Sequence, residues 1–65
     1  MRIVLNGEAR EVSSATLQPV LEELGYGGAA VATAVNGDFV PASQHAETTL
    51  RQGDRLEVLA PMQGG

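Results

Sequence analysis

The sequence predicts an α+β fold in which a mixed sheet of four or five strands packs on a single helix. Three observations carry the prediction. The chain opens with alternating β-branched residues that run into an Asn-Gly pair at Asn6–Gly7. Apolar residues then change period, with Leu17, Val20, Leu21 and Leu24 spaced i, i+3, i+4, i+7. Strand chemistry returns in the second half, at Val31 to Val35 and in the run Arg55-Leu56-Glu57-Val58-Leu59.

Taken in order, each element has a physical reason. In the opening strand Ile3 and Leu5 share one face and Val4 takes the other, because side chains alternate along an extended chain. Asn-Gly is a strong hairpin signal, since both residues tolerate positive φ. The return strand is expected over about Arg10 to Ser13, with Val12 inward. The helix is expected over about 16 to 24. Thr16 is the N-cap candidate, and Pro19 falls in the first turn, where a missing N–H costs little. Glu22 and Glu23 face solvent, and Gly25 suits the left-handed C′ position. A helix this short depends on packing against a sheet. Asn36–Gly37 is a second turn, Phe39 and Val40 form a short strand, and Pro41 ends it, because proline donates nothing to a ladder. The stretch from Ala42 to Asp54 is polar and irregular, with Leu50 as its anchor and Gly53–Asp54 as a tight turn. In the last strand Leu56 and Val58 face inward, and Arg55, Glu57 and Leu59 face outward. A hairpin, a crossing helix and a closing strand able to lie parallel beside the first make a β-grasp. The body covers about 1–59, and residues 60–65 are expected to be a flexible tail ending in Gly64 and Gly65.

Composition narrows the function. A chain of 65 residues forms one small core and buries roughly 60% of the surface its unfolded state exposes. A catalytic pocket of about 300 Å³, with the side chains needed to hold it in place, is hard to fit in so little protein. The absence of cysteine excludes disulfides, a thiolate nucleophile and thiolate metal ligands. The net charge is −4, with four cationic residues, all arginine, against eight acids. Nucleic-acid binding is not expected of such a chain, and partner surfaces should be basic. No apolar run approaches the ~18 residues of a membrane span, and no start reads as a signal peptide, so a cytoplasmic protein is expected. His45 stands alone in a polar stretch, without acidic or cysteine partners at ligand spacing. It reads as a loop residue with a local hydrogen bond, and no metal site is expected. Glu22 and Glu23 are adjacent on a helix and do not converge. Neither Asn-Gly pair is followed by the residues of a phosphate loop.

The run from Val35 to Gly65, VNGDFVPASQHAETTLRQGDRLEVLAPMQGG, follows an Asn-Gly hairpin and a short helix and resembles the ThiS family. These are small sulfur carriers of thiazole (thiamin) biosynthesis with a ubiquitin-like fold. The specific parts are VNG..VP, GDRLEVL and the final Gly64–Gly65, in that order, in a chain of matching length. The molybdopterin synthase small subunit and ubiquitin share the fold and the Gly-Gly end but are longer. The resemblance implies that a ThiF-like adenylyltransferase uses ATP to convert the Gly65 carboxylate to an acyl-adenylate. Sulfur from a persulfide donor then displaces AMP to give a thiocarboxylate, and a ThiG-like thiazole synthase takes the sulfur. It implies a carrier rather than an enzyme, with no bound cofactor, monomeric when free.

The chemistry suits the residues. Adenylation turns a poor acyl donor into a mixed anhydride with a good leaving group. The carboxylate must thread into another protein's site, and Gly64 and Gly65 offer a backbone without Cβ atoms. Residues 60–65 extend to roughly 20 Å at ~3.3–3.6 Å per residue, so Met62, Gln63 and Gly64 are expected to enter partner active sites. Docking falls to the outer sheet face, where alternation exposes Val4 and Leu59, joined by Phe39 and by Thr33 or Ala34 according to register; such a patch on a small acidic domain reads as a partner site. Three rival readings remain open here: a molybdopterin-synthase small-subunit-like or other small sulfur carrier, a ubiquitin-like modifier whose tail forms isopeptides, and a plain β-grasp interaction module with an idle tail.

Overall fold

A computed structural model describes residues 1–27 and 30–60. The elements are β1 (Arg2–Leu5), β2 (Glu8–Glu11), α1 (Leu17–Glu23), β3 (Ala32–Val35), β4 (Asp38–Val40), a 3₁₀ turn (Ala42–Gln44) and β5 (Arg55–Leu59). One five-stranded sheet has the order β2-β1-β5-β3-β4. β5 lies between β1, parallel to it, and β3, antiparallel to it. This is the expected β-grasp. Apart from Ala60, the expected tail lies outside the described residues.

Both Asn-Gly turns form as expected. Asn6 and Asn36 have φ of 48° and 51°, and Gly7 and Gly37 both have φ of 88°. Two consecutive left-handed residues match the right-handed twist of the strands they join. Because the first turn has only two residues, Leu5 pairs directly with Glu8. The return strand therefore begins at Glu8 and ends at Glu11, earlier than the expected Arg10 to Ser13. Val12 lies just past it and is buried, held by its N–H to Met1 O at 2.8 Å and by its carbonyl from the Met1 amino group at 2.7 Å.

The helix is capped differently from expectation. Thr16 occupies the N-cap, but its hydroxyl makes no capping bond. Carbonyls of the distant 45–48 segment do that work: Leu17 N–H donates to Thr48 O at 2.8 Å and Gln18 N–H to His45 O at 3.0 Å. Pro19 has no N–H, and Val20 N–H begins the helical ladder on Thr16 O. The first turn thus leaves no orphan donor. At the other end Gly25 takes φ of 95°. Its N–H bonds Glu22 O, and Tyr26 N–H bonds Leu21 O, the paired bonds of a Schellman cap.

The core lies between the helix and the inner sheet face. Ile3, Leu5, Leu56, Val58 and Val40 from the strands meet Leu17, Val20 and Leu21 from α1, with Val12 and Leu50 closing the ends. Leu50 is the anchor the sequence implied, at 2% exposed. Register decides Thr33 against Ala34: Thr33 pairs with Val58 and Val40 and is buried, so Ala34 faces outward.

Candidate functional site

The outer sheet face is built by period-two alternation on β5, β3 and β4. Glu57, Ala34 and Phe39 form one row across three strands, and Leu59 pairs with Ala32 in the next. Burying Leu56, Val58, Thr33 and Val40 obliges these neighbours to face solvent. Phe39 and Leu59 are the two large apolar side chains left exposed among the described residues, at 69% and 74%. Standing over two alanines, they form a ridge with a hollow on each side. The larger, about 620 Å³, runs past Val40, Pro41, Gln18 and His45 to Ala60. The smaller, about 290 Å³, lies over Ala32 and Ala34 and is edged by Asn6 and Glu57.

The structure brings together two of the three expected docking residues. Phe39 and Leu59 line the same hollows. Val4 faces the same side but pairs with Arg55 at the opposite end of β5, and it is half-buried. It lies apart from the ridge, because β1 runs parallel to β5 and reaches only its first residues. Met62, Gln63, Gly64 and Gly65 lie outside the described residues. The ridge ends at Leu59 and Ala60, so the chain enters residues 61–65 directly from this face.

Two features go beyond the sequence reading. His45 makes the expected hydrogen bond, but it is also buried, at 4% exposed. Its Nε2 lies 2.9 Å from Thr33 Oγ1 and 3.2 Å from Val40 O, and the Thr33 hydroxyl donates to Val40 O at 2.9 Å. A carbonyl only accepts, so the ring proton is assigned to Nε2. The local hydrogen bond was foreseeable, but burial comes from the 3₁₀ turn folding His45 under β4. The second feature is Asn6. Its side chain accepts from Val58 N–H at 2.9 Å and donates to Val58 O at 3.2 Å, extending the parallel ladder past the end of β1. On the other side of β5 the Asn36 side chain accepts from Arg55 N–H at 2.9 Å and donates to Asp54 Oδ1 at 3.1 Å. Both turn asparagines therefore clamp the strand that carries the ridge.

What this face can do chemically is bind. Among the described residues no group of His, Asp and Glu is placed to hold a metal ion, and His45 is committed to the core. Glu23 titrates below the usual glutamate range, because N–H groups of Ser13 and Ser14 donate to its two oxygens, both at 2.8 Å. It lies on the helix side and ties down the β2–α1 loop.

Comparison with known proteins bears on the whole chain. The ThiS family model matches residues 3–65. The sulfur carrier protein ThiS of Thermus thermophilus is 43% identical over 61 residues, covering 94% of this chain and 95% of that protein. A thiazole synthase of Paramagnetospirillum magneticum is 41% identical over 66 residues; the match takes in all of this chain, which spans only 20% of that protein's length. The crystal structure of a thiamine biosynthesis protein (ThiS) from Geobacter metallireducens superposes with a TM-score of 0.79 at 29% identity, over the full length of both chains. With a family match across nearly every residue, a relative of equal extent and a shared fold, this chain belongs to the ThiS family.

Proposed function

We propose that this ThiS-family chain, a sulfur carrier of thiamin biosynthesis, carries its sulfur on the carboxyl group of Gly65. The observation that carries the reading is the family match, which runs through the body and on to Gly65 itself. The described body supports it with an exposed apolar ridge, Phe39 and Leu59, that ends next to Ala60, the last described residue.

The chain is a substrate here, and its partners are the enzymes. In the first step a carboxylate oxygen of Gly65 attacks the α-phosphorus of ATP on an adenylyltransferase, and pyrophosphate leaves. In the second, the outer sulfur of a persulfide attacks the carbonyl carbon and AMP leaves. A further thiol then resolves the acyl disulfide, releasing the thiocarboxylate and departing as a disulfide. Thiazole synthase consumes the thiocarboxylate. The Paramagnetospirillum relative supports that partner, since there a segment similar to this chain is part of a protein named thiazole synthase. ATP is held by the activating enzyme and no cofactor by the carrier. No described helix is long and apolar enough to cross a membrane, and the working form is read as a cytoplasmic monomer.

Intact-mass measurement tests the proposal. After incubation with ATP, the adenylyltransferase and a persulfide donor, the chain should gain the mass of one sulfur replacing one oxygen, localised to Gly65. Deleting Gly64 and Gly65 should abolish the change. An unchanged mass, or a ladder of isopeptide adducts on other proteins, overturns it.

A further inference from the structure

We propose that the smaller hollow of the outer sheet face is a slot for one arginine side chain, presented by thiazole synthase and paired with Glu57. The proposal rests on the functional reading above and names the chemistry of the docking it requires. Glu57, Ala34 and Phe39 are direct cross-strand neighbours. Adjacent strands lie about 4.8 Å apart, so the carboxylate and the aromatic ring rise from positions about 10 Å apart with only an alanine methyl between them. Leu59 and Ala32 extend the floor and close one end. The result is a trough of about 290 Å³ with an apolar base, an aromatic wall on one side and a carboxylate on the other.

Among the described residues Glu57 has no ion-pair or side-chain hydrogen-bond partner. The ion pair among the described residues is Arg2–Glu11, at the far edge of the sheet. Arg55 precedes Glu57 by two residues on the same face and borders a separate hollow with it beside Gly37, without coming within ion-pair distance. The other polar residues at the slot are already engaged: Asn6 spends its amide on Val58, and Thr33 spends its hydroxyl on Val40 O and His45. An apolar trough ending in an unpaired carboxylate on a chain of net charge −4 selects a long side chain with an apolar stem and a cationic head. Arginine fits better than lysine. Its planar guanidinium stacks on an aromatic face while its N–H edge meets a carboxylate with two parallel hydrogen bonds. Thiazole synthase is the source because it is the partner whose name appears on a relative that contains a segment like this one.

The test is binding of the full chain to thiazole synthase at low and high salt, with Glu57→Gln and Phe39→Ala beside the unsubstituted protein. Both positions are exposed, so both variants should keep the melting temperature. Glu57→Gln should weaken binding about tenfold or more at low salt and flatten its salt dependence, as expected for losing a charge-assisted pair. Phe39→Ala should weaken binding at both salt concentrations. Unchanged affinity and salt dependence for Glu57→Gln, with Phe39→Ala still impaired, overturns the arginine slot and leaves the functional reading standing. An effect of Glu57→Gln confined to the adenylyltransferase overturns the choice of partner. Failure of the unsubstituted chain to bind thiazole synthase at all overturns the functional reading and the slot's occupant with it.

Discussion

Replacing Asn6 with glycine separates the two tasks that this side chain performs. As a turn residue Asn6 tolerates φ of 48°, and glycine tolerates it at least as well, so turn propensity alone predicts that Asn6→Gly is neutral or slightly stabilising. The structure predicts the reverse. Two hydrogen bonds to Val58, at 2.9 Å and 3.2 Å in a part-buried setting, disappear together. At about 0.5–1.5 kcal/mol each the loss is about 1–3 kcal/mol, against at most about 1 kcal/mol regained from easier backbone geometry, so the net cost lies within about 0–3 kcal/mol and is centred on about 1.5 kcal/mol. A chain of 65 residues has a total stability of roughly 3–10 kcal/mol, so the change is visible. At that central cost the melting temperature should fall by about 6–12 °C, since 1 kcal/mol shifts a domain of this size by about 4–8 °C. Urea denaturation measures the cost, and native-state hydrogen exchange localises it, with the Val58 amide losing protection ahead of the rest of β5. The parallel substitution Asn36→Gly should cost less, because its bonds to Arg55 and Asp54 are exposed. An Asn6→Gly protein as stable as the parent, with Val58 equally protected, refutes the clamp.

Three further outcomes are expected. Leu59→Arg should weaken binding to thiazole synthase about tenfold or more, by breaking the ridge and placing a cation beside Glu57. Because Leu59 is 74% exposed, stability should change by less than about 0.5 kcal/mol, and a large fall in melting temperature would count against a docking role. Glu23 sits below its ordinary titration range, chiefly through backbone hydrogen bonds from Ser13 and Ser14. A folded-state value below the unfolded one contributes stability above the unfolded value, and that contribution is lost as pH falls through the folded one. The deficit of Glu23→Gln should therefore be largest near neutrality and shrink as the medium is acidified below the ordinary glutamate range, read from urea midpoints; a deficit that does not vary with pH refutes the assignment. Thr33→Val, nearly isosteric, should cost about 1–3 kcal/mol, because it removes the hydroxyl that joins His45 Nε2 to Val40 O in the core; a variant at least as stable as the parent in thermal melts would show that this bond adds nothing.

The elements were legible in the residues because each rests on local physics. Asn-Gly sets a two-residue turn wherever it stands between strands, Leu17, Val20, Leu21 and Leu24 share a helix stripe through their spacing, and Leu56 and Val58 share a strand face by alternation. The order of these elements sufficed for the β-grasp, and the closing VNG..VP, GDRLEVL and Gly-Gly features for the family resemblance. Tertiary structure decided what depends on distance in the chain. Asn6 meets Val58 across 52 positions, and the helix borrows carbonyls from a loop about thirty residues away, which no local pattern encodes. His45 sits in a stretch as polar as any loop, and its burial follows from how the 3₁₀ turn packs beneath β4. Thr33 and Ala34 were indistinguishable until strand register placed one inside, since a one-residue slip exchanges the two faces. Val4 alternates like Leu59 but lies away from the ridge, because alternation fixes which face a side chain takes while only strand pairing fixes its neighbours.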